Sequence, residues 1–310
     1  MSHSVTVRPP PDFTGKIVGE FNASLEAGQR ELLNLVGFSE FLCCLSVLHR
    51  ERAAGRVSVS QDGAERVASL LDSLGLHCRR SALDLLPQPD LIGGNVKHNS
   101  VYVRQGSREE AWAILYFGVD AEFAAGAEVA ELNKEQQLVG RLFGYPECCS
   151  EFFLRNDGYS QDRTPRSVTD TGPFPSILNP ALNELYGFSL QFHFACSPRC
   201  ACSLALAKTR LNSLKRYAPS IVEMEQLGAG ITVYGPTTGA VLVTRYRPVG
   251  DNLYETEEVM TWNEKAAELF HGNGSPPRIR LRSAHEFEIK GTILKDESHF
   301  AAVFSEDVFP

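Results

Sequence analysis

The chain has no apolar stretch near the ~20 residues needed to cross a bilayer, so no membrane partner is expected. Its opening, Met1-Ser2-His3-Ser4-Val5-Thr6-Val7-Arg8 followed by three prolines, lacks an apolar core and is not expected to act as a secretory signal. Basic charge is scarce: 30 Lys and Arg stand against 38 Asp and Glu, a net charge of −8. A general nucleic-acid binder needs a cationic face to displace phosphate counterions, so no nucleic-acid partner is expected. The basic run Lys208, Arg210, Lys215, Arg216 falls at the end of an expected helix, where cations complement the dipole. The common catalytic signatures are missing as well. There is no Gly-x-x-x-x-Gly-Lys-Ser/Thr phosphate loop, no Gly-x-Ser-x-Gly nucleophile elbow, and His285-Glu286 has no second histidine at zincin spacing. No internal repeat is visible.

What the chain does have is cysteine. Of its eight cysteines, five fall in two short stretches, Gly144-Tyr145-Pro146-Glu147-Cys148-Cys149 and His193-Phe194-Ala195-Cys196-Ser197-Pro198-Arg199-Cys200-Ala201-Cys202. With no export or membrane signal the expected location is the cytoplasm. Thiols stay reduced there, and clustered ones point to metal binding or catalysis more than to disulfides.

The order of elements implies an α+β or α/β fold: a helix-rich core with a small sheet, then a β-rich C-terminal subdomain. Residues 1–15 read as a flexible lead-in. Apolar residues from Leu32 to Leu48 recur at helical spacing, predicting one helix over Glu31–His49 with Cys43 and Cys44 as small core residues. A helix over Gly63–Leu74 follows, stopped by Gly75. Cys78 stands alone and reads as structural. The alternating stretch 100–104 and the continuous apolar run 111–117 predict a half-buried and a central strand. A long helix is expected over Ala121–Phe143, a short one opening at Pro146, a loop over Gly158–Pro175, and a strong helix from Cys200 to Tyr217. Beyond Gly228 the pattern becomes strand-like, with a hairpin formed by 231–234 and 240–246. The change places a boundary near residue 225, dividing the chain into 16–225 and 226–310. The acidic run Glu255-Thr256-Glu257-Glu258 reads as a solvated face.

The cysteine stretches carry the chemistry. Cys148 and Cys149 fall in a first helical turn, where backbone N–H groups and the dipole favour thiolate, the form that ligates metals and attacks electrophiles. On the second helix Leu204, Ala207, Leu211 and Leu214 form one stripe, and Cys200 extends it backward, whereas Cys202 falls almost opposite. Cys196 precedes in an irregular turn shaped by Pro198. Cys148, Cys149, Cys196 and Cys200, or three of them, therefore emerge as metal ligands, with His193 as a further ligand, a group that supports cofactor binding without touching the metal, or a plain core residue. Four thiolates suit an iron–sulfur cluster or tetrahedral zinc. Adjacent cysteines are awkward on one small ion, because successive side chains diverge by ~100° on a helix, and a wider cluster tolerates them better.

The pair of motifs resembles a prokaryotic domain family of unknown function that carries Gly-x-Pro-x-Cys-Cys and a later His-x-x-Cys-Ser-x-x-Cys-x-x-Ser. The matching positions are Gly144, Pro146, Cys148, Cys149, His193, Cys196, Cys200 and Ser203, and the likeness covers about residues 100–250. The resemblance implies a common site and names no reaction. The leading expectation is an iron–sulfur metalloenzyme of the [4Fe–4S] kind, a transferase or lyase acting in sulfur transfer or redox chemistry on a small molecule. It would be served by a sulfur or electron donor protein. The alternatives are a structural zinc protein with a partner-binding β region, and a metal-free enzyme with Cys148 or Cys149 as nucleophile.

Overall fold

The computed structural model describes residues 5–87, 100–156, 164–235, 238–271 and 276–306. Helices and strands are mixed, and strands dominate the C-terminal region. Among the described residues no helix is long and apolar enough to cross a membrane. The chain forms two compact units, Val18–Asp157 and Met1–Ile17 with Gly158–Pro310.

In the Val18–Asp157 unit the apolar run Trp112–Gly118 is a central strand, as its two-sided hydrophobicity predicts. It pairs antiparallel with Ala54–Val59 on one side and His77–Pro87 on the other, and Ser100–Arg104 closes the four-stranded sheet. Ile114, Tyr116 and Leu85 from the sheet bury Ala127, Ala130, Val139 and Phe143 of the helices that follow. The strands 54–59 and 77–87 escape a reading by pattern. A register shift between Arg80 and Asp84 breaks the alternation of the second one.

Two expected long helices are each broken. The Glu31–His49 reading resolves into Ala27–Val36 and Phe38–Leu48, separated by Gly37 at φ 80 and ψ 165, which no continuing helix accommodates. The Ala121–Phe143 reading resolves into Ala121–Leu132 and Gln136–Leu142, with Lys134 at φ 60 between them. The apolar period runs on across both breaks, so periodicity alone joins them. The Gly63–Leu74 helix is observed as Ala64–Ser73, with Gly75 at φ 84 just beyond it.

The other unit is built on a nine-stranded sheet. Its order is Thr292–Lys295, Glu286–Ile289, Arg278–Ser283, Leu253–Met260, Gly239–Gly250, Gly230–Gly235, Phe300–Ser305 and Phe174–Pro175, with Thr6–Arg8 added parallel to Leu253–Met260. The expected hairpin is present, with Ile231 opposite Val243 and Tyr234 opposite Ala240; residues 236–237 of its turn lie outside the described residues. Ile231, Val233, Val241, Val243, Ile279, Leu281 and Phe287 supply the main core.

These pairings explain why the units do not divide near residue 225. Phe174–Pro175 pairs with Phe300–Ser305, and Thr6–Arg8 pairs with Leu253–Met260, so both are drawn into the β-rich unit. The N-terminal stretch expected to be flexible thus holds a strand, and the Phe13–Ser24 helix begins inside it. Part of the expected Gly158–Pro175 loop, residues 158–163, lies outside the described residues; Thr164–Ser167 is a short helix.

The acidic run is not a solvated face. Glu255 and Glu258 are buried in the Leu253–Met260 strand, and of the three glutamates Glu257 alone is exposed. Arg247 and Arg278 flank Glu255, while Arg8 and Arg245 flank Glu258. Register shifts against the Gly239–Gly250 strand carry both carboxylates to the face where the arginines stand, a placement that linear sequence does not announce.

Candidate metal centre

The first cysteine stretch enters its helix through a backbone shape that needs glycine. Gly144 sits at φ 68, and a Cβ there would lie 2.8 Å from Arg52 Cβ. Tyr145 N–H donates to the Gly140 carbonyl at 2.8 Å, which folds the chain back. Pro146 is the N-cap, one residue before the first helical position expected for it, and the helix runs Glu147–Arg155. The N–H groups of Cys149 and Ser150 donate to the Pro146 carbonyl at 3.0 and 2.9 Å. Both cysteines thus stand in the first turn, as expected. Cys148 is exposed and Cys149 is buried. Gly140 is a supporting position that the sequence does not reveal: a Cβ on it would come within 2.4 Å of Ser150 Oγ, so this glycine lets the two helices approach.

In the second stretch Cys200 is the N-cap of the Ala201–Leu214 helix, and its Sγ accepts from Ser203 N–H at 3.4 Å. A sulfur in this position receives both a backbone donor and the positive end of the helix dipole. A tight turn leads into it: Cys200 N–H donates to the Ser197 carbonyl at 3.0 Å, and Arg199 N–H donates to Ser197 Oγ at 3.1 Å. The Arg199 guanidinium pairs with Asp170 and lies 4.5 Å from the Phe174 ring centre. Cys196 is half-buried, Cys200 buried and Cys202 exposed, as the helical wheel predicts for the last two. The buried stripe of this helix also includes Ser203 and Arg210, polar residues that a search for apolar periodicity passes over.

The thiol groups of Cys148, Cys149, Cys196 and Cys200 all lie within 4.8 Å of one another, and this group of four can bind a metal. The sulfurs of the adjacent pair are 3.9 Å apart. Cys148 and Cys149 stand side by side at the start of their helix, and both thiols belong to this group of four.

His193 is not one of the four residues in this group. Its Nε2 makes a 2.8 Å hydrogen bond with Ser203 Oγ. Burial, and secondarily the nearby Arg210 cation, pushes its pKa down to about 4, so the imidazole is neutral at pH 7. Arg210 itself is buried, with its guanidinium 4.2 Å from the Phe192 ring centre and Nη1 donating to the Leu190 carbonyl at 2.7 Å.

The remaining cysteines lie elsewhere. Cys43 and Cys44 are buried in the Phe38–Leu48 helix, as expected of small core residues. Cys78 lies on the His77–Pro87 strand, where burial and then the Asp72 carboxylate push its thiol up to about 12. The chain matches no family model, no curated protein and no solved structure.

Proposed function

We propose that this chain is a metalloprotein in which Cys148, Cys149, Cys196 and Cys200 together hold one tetrahedral ion, zinc. The observation that carries this reading is the spacing of the thiols, all within 4.8 Å of one another and 3.9 Å apart for the adjacent pair. A tetrahedral ion with Zn–S bonds of about 2.3 Å sets its four sulfurs ~3.8 Å apart. A [4Fe–4S] cluster places each thiolate on a different iron and spreads the sulfurs more widely, so the tight grouping favours a single ion over that cluster. Four thiolates saturate that ion, which gives it a structural role: it joins two distant stretches of chain and stabilises the folded state against the unfolded one. Such a set of reduced thiols belongs in a reducing compartment, the cytoplasm.

A second reading rests on the uneven exposure of the four. Cys149 and Cys200 are buried, whereas Cys148 is exposed. Three thiolates on an iron–sulfur cluster with Cys148 as a spare nucleophile would suit sulfur transfer to a small molecule, fed by a donor protein.

Metal and acid-labile sulfide analysis, with an absorption spectrum, of protein purified without oxygen decides between them. One zinc per chain in a colourless protein supports the first reading. Iron with labile sulfide and a broad band near ~400 nm overturns it in favour of the second. Protein that takes up no metal while its four thiols remain reduced sinks both.

A further inference from the structure

Resting on the four-thiolate reading above, we propose that His193 is a positioning residue for the metal-binding sulfur of Cys200, acting through Ser203, and is not itself a ligand. The hydrogen bonds run in one chain. His193 Nε2 meets Ser203 Oγ at 2.8 Å, and the backbone N–H of the same Ser203 donates to Cys200 Sγ at 3.4 Å. Ser203 is fully buried and is the third residue of the helix that Cys200 caps. An N-cap side chain is held where the first-turn N–H groups point. Here the capping atom is also a candidate ligand, so whatever fixes the first turn also fixes the sulfur.

His193 does this from outside the helix. Arg210, close enough to act on the imidazole electrostatically, lies over the Phe192 ring and donates to the Leu190 carbonyl. A neutral imidazole can hold the serine hydroxyl as either donor or acceptor, and the contact at 2.8 Å is of hydrogen-bond length. The arrangement also accounts for the spacing of the second motif. The cysteine at 200 caps the helix, the serine three residues later supplies the capping N–H, and the histidine ahead of the turn pins that serine by its hydroxyl. Partners that orient a ligand in this way influence metal affinity without touching the ion.

The test uses the full chain loaded with Co(II), whose thiolate charge-transfer and d–d bands report the ligand set, and competes the metal with a chelator. Wild-type protein is expected to show a four-thiolate spectrum. His193→Ala and Ser203→Ala should each keep that spectrum while losing ~10–100-fold in affinity. The double variant should lose little more than either single one, because the two residues act in series. His193→Gln, which retains a side-chain hydrogen-bonding group, should recover much of the loss. Unchanged affinity in both single variants overturns the proposal, as does a His193→Ala spectrum that has lost a ligand. If His193→Ala does not fold, Ser203→Ala with wild-type affinity overturns it alone. Failure of the underlying reading looks different: wild-type protein would then show no thiolate–cobalt bands at all.

Discussion

The chain contains the same dipeptide twice in helices, and the two copies have opposite fates. Cys43–Cys44 lies in the middle of Phe38–Leu48, with Phe41, Leu42, Leu45 and Val47 buried around it. Cys43 Sγ contacts the Arg56 carbonyl and the Arg52 guanidinium, and burial together with Cys43 drives the Cys44 thiol well above the ordinary range. Cys44 is packing material: its thiol is held away from the thiolate form that ligates and attacks, and both cysteines are buried in the helix. Cys148–Cys149 opens its helix instead of sitting within it, and Cys148 is exposed. Position along the helix, and the supply of two more thiols from Cys196 and Cys200, make a candidate metal centre of the second pair. The dipeptide by itself carries no chemistry.

The largest contrast is in metal content. Cys149→Ala and Cys200→Ala should each reduce bound metal from about one ion per chain to nearly none, whereas Cys43→Ala should leave it unchanged, as read by elemental analysis of dialysed protein. Equal loss in all three would erase the distinction between the pairs.

Next comes the backbone that aims the second pair. Gly144→Ala forces a Cβ into the left-handed region and against Arg52, at a cost of roughly 1–3 kcal/mol in denaturant titration. Gly37→Ala, at φ 80 and ψ 165 where only glycine sits readily, should also cost about 1–3 kcal/mol although nothing is near the added Cβ, and should spare the metal. A Gly144→Ala protein of wild-type stability would show that this turn does not hold the pair in place.

The core pair should respond as a hydrophobic residue does. Cys44→Ala leaves a small void in a fully buried position and should cost about 1–2 kcal/mol with unchanged metal content. In metal-free protein, iodoacetamide followed by mass mapping should label the exposed Cys148 and Cys202 first and leave Cys44 and Cys78 untouched until unfolding.

The smallest effect is a pH dependence. The folded pKa of His193 lies near 4, below its ordinary 6.5, so the unfolded chain binds the proton more readily between those values. Stability from keeping the imidazole neutral is therefore complete above about pH 6.5 and lost as pH falls toward 4, on the order of 1 kcal/mol for this half-buried group. Denaturation across that range in the metal-free Cys200→Ala background should show the slope, and His193→Gln should flatten it.

Much of the centre was legible in the linear chain, because it depends on local rules. A proline and a glycine mark the start of the Cys148–Cys149 helix, and helical spacing puts Cys200 inward and Cys202 outward. The central strand 112–118 and the C-terminal hairpin are likewise written in their own hydrophobic patterns. The breaks at Gly37 and Lys134 are not, since the apolar period passes straight through them. Nor are Gly140, whose missing side chain matters only once Ser150 is opposite it, or the arginines that bury Glu255 and Glu258.

Sequence alone determined which segments are helix or strand, wherever period and caps agree, and which thiols are candidates for a metal. Those properties are set by neighbours within a turn or two. Tertiary structure alone decided that the four sulfurs lie within 4.8 Å, that His193 reaches Ser203, and that Thr6–Arg8 and Phe174–Pro175 join one sheet with the C-terminal strands. Each of these depends on residues distant in the chain, whose approach follows from the burial of whole faces and not from any local preference.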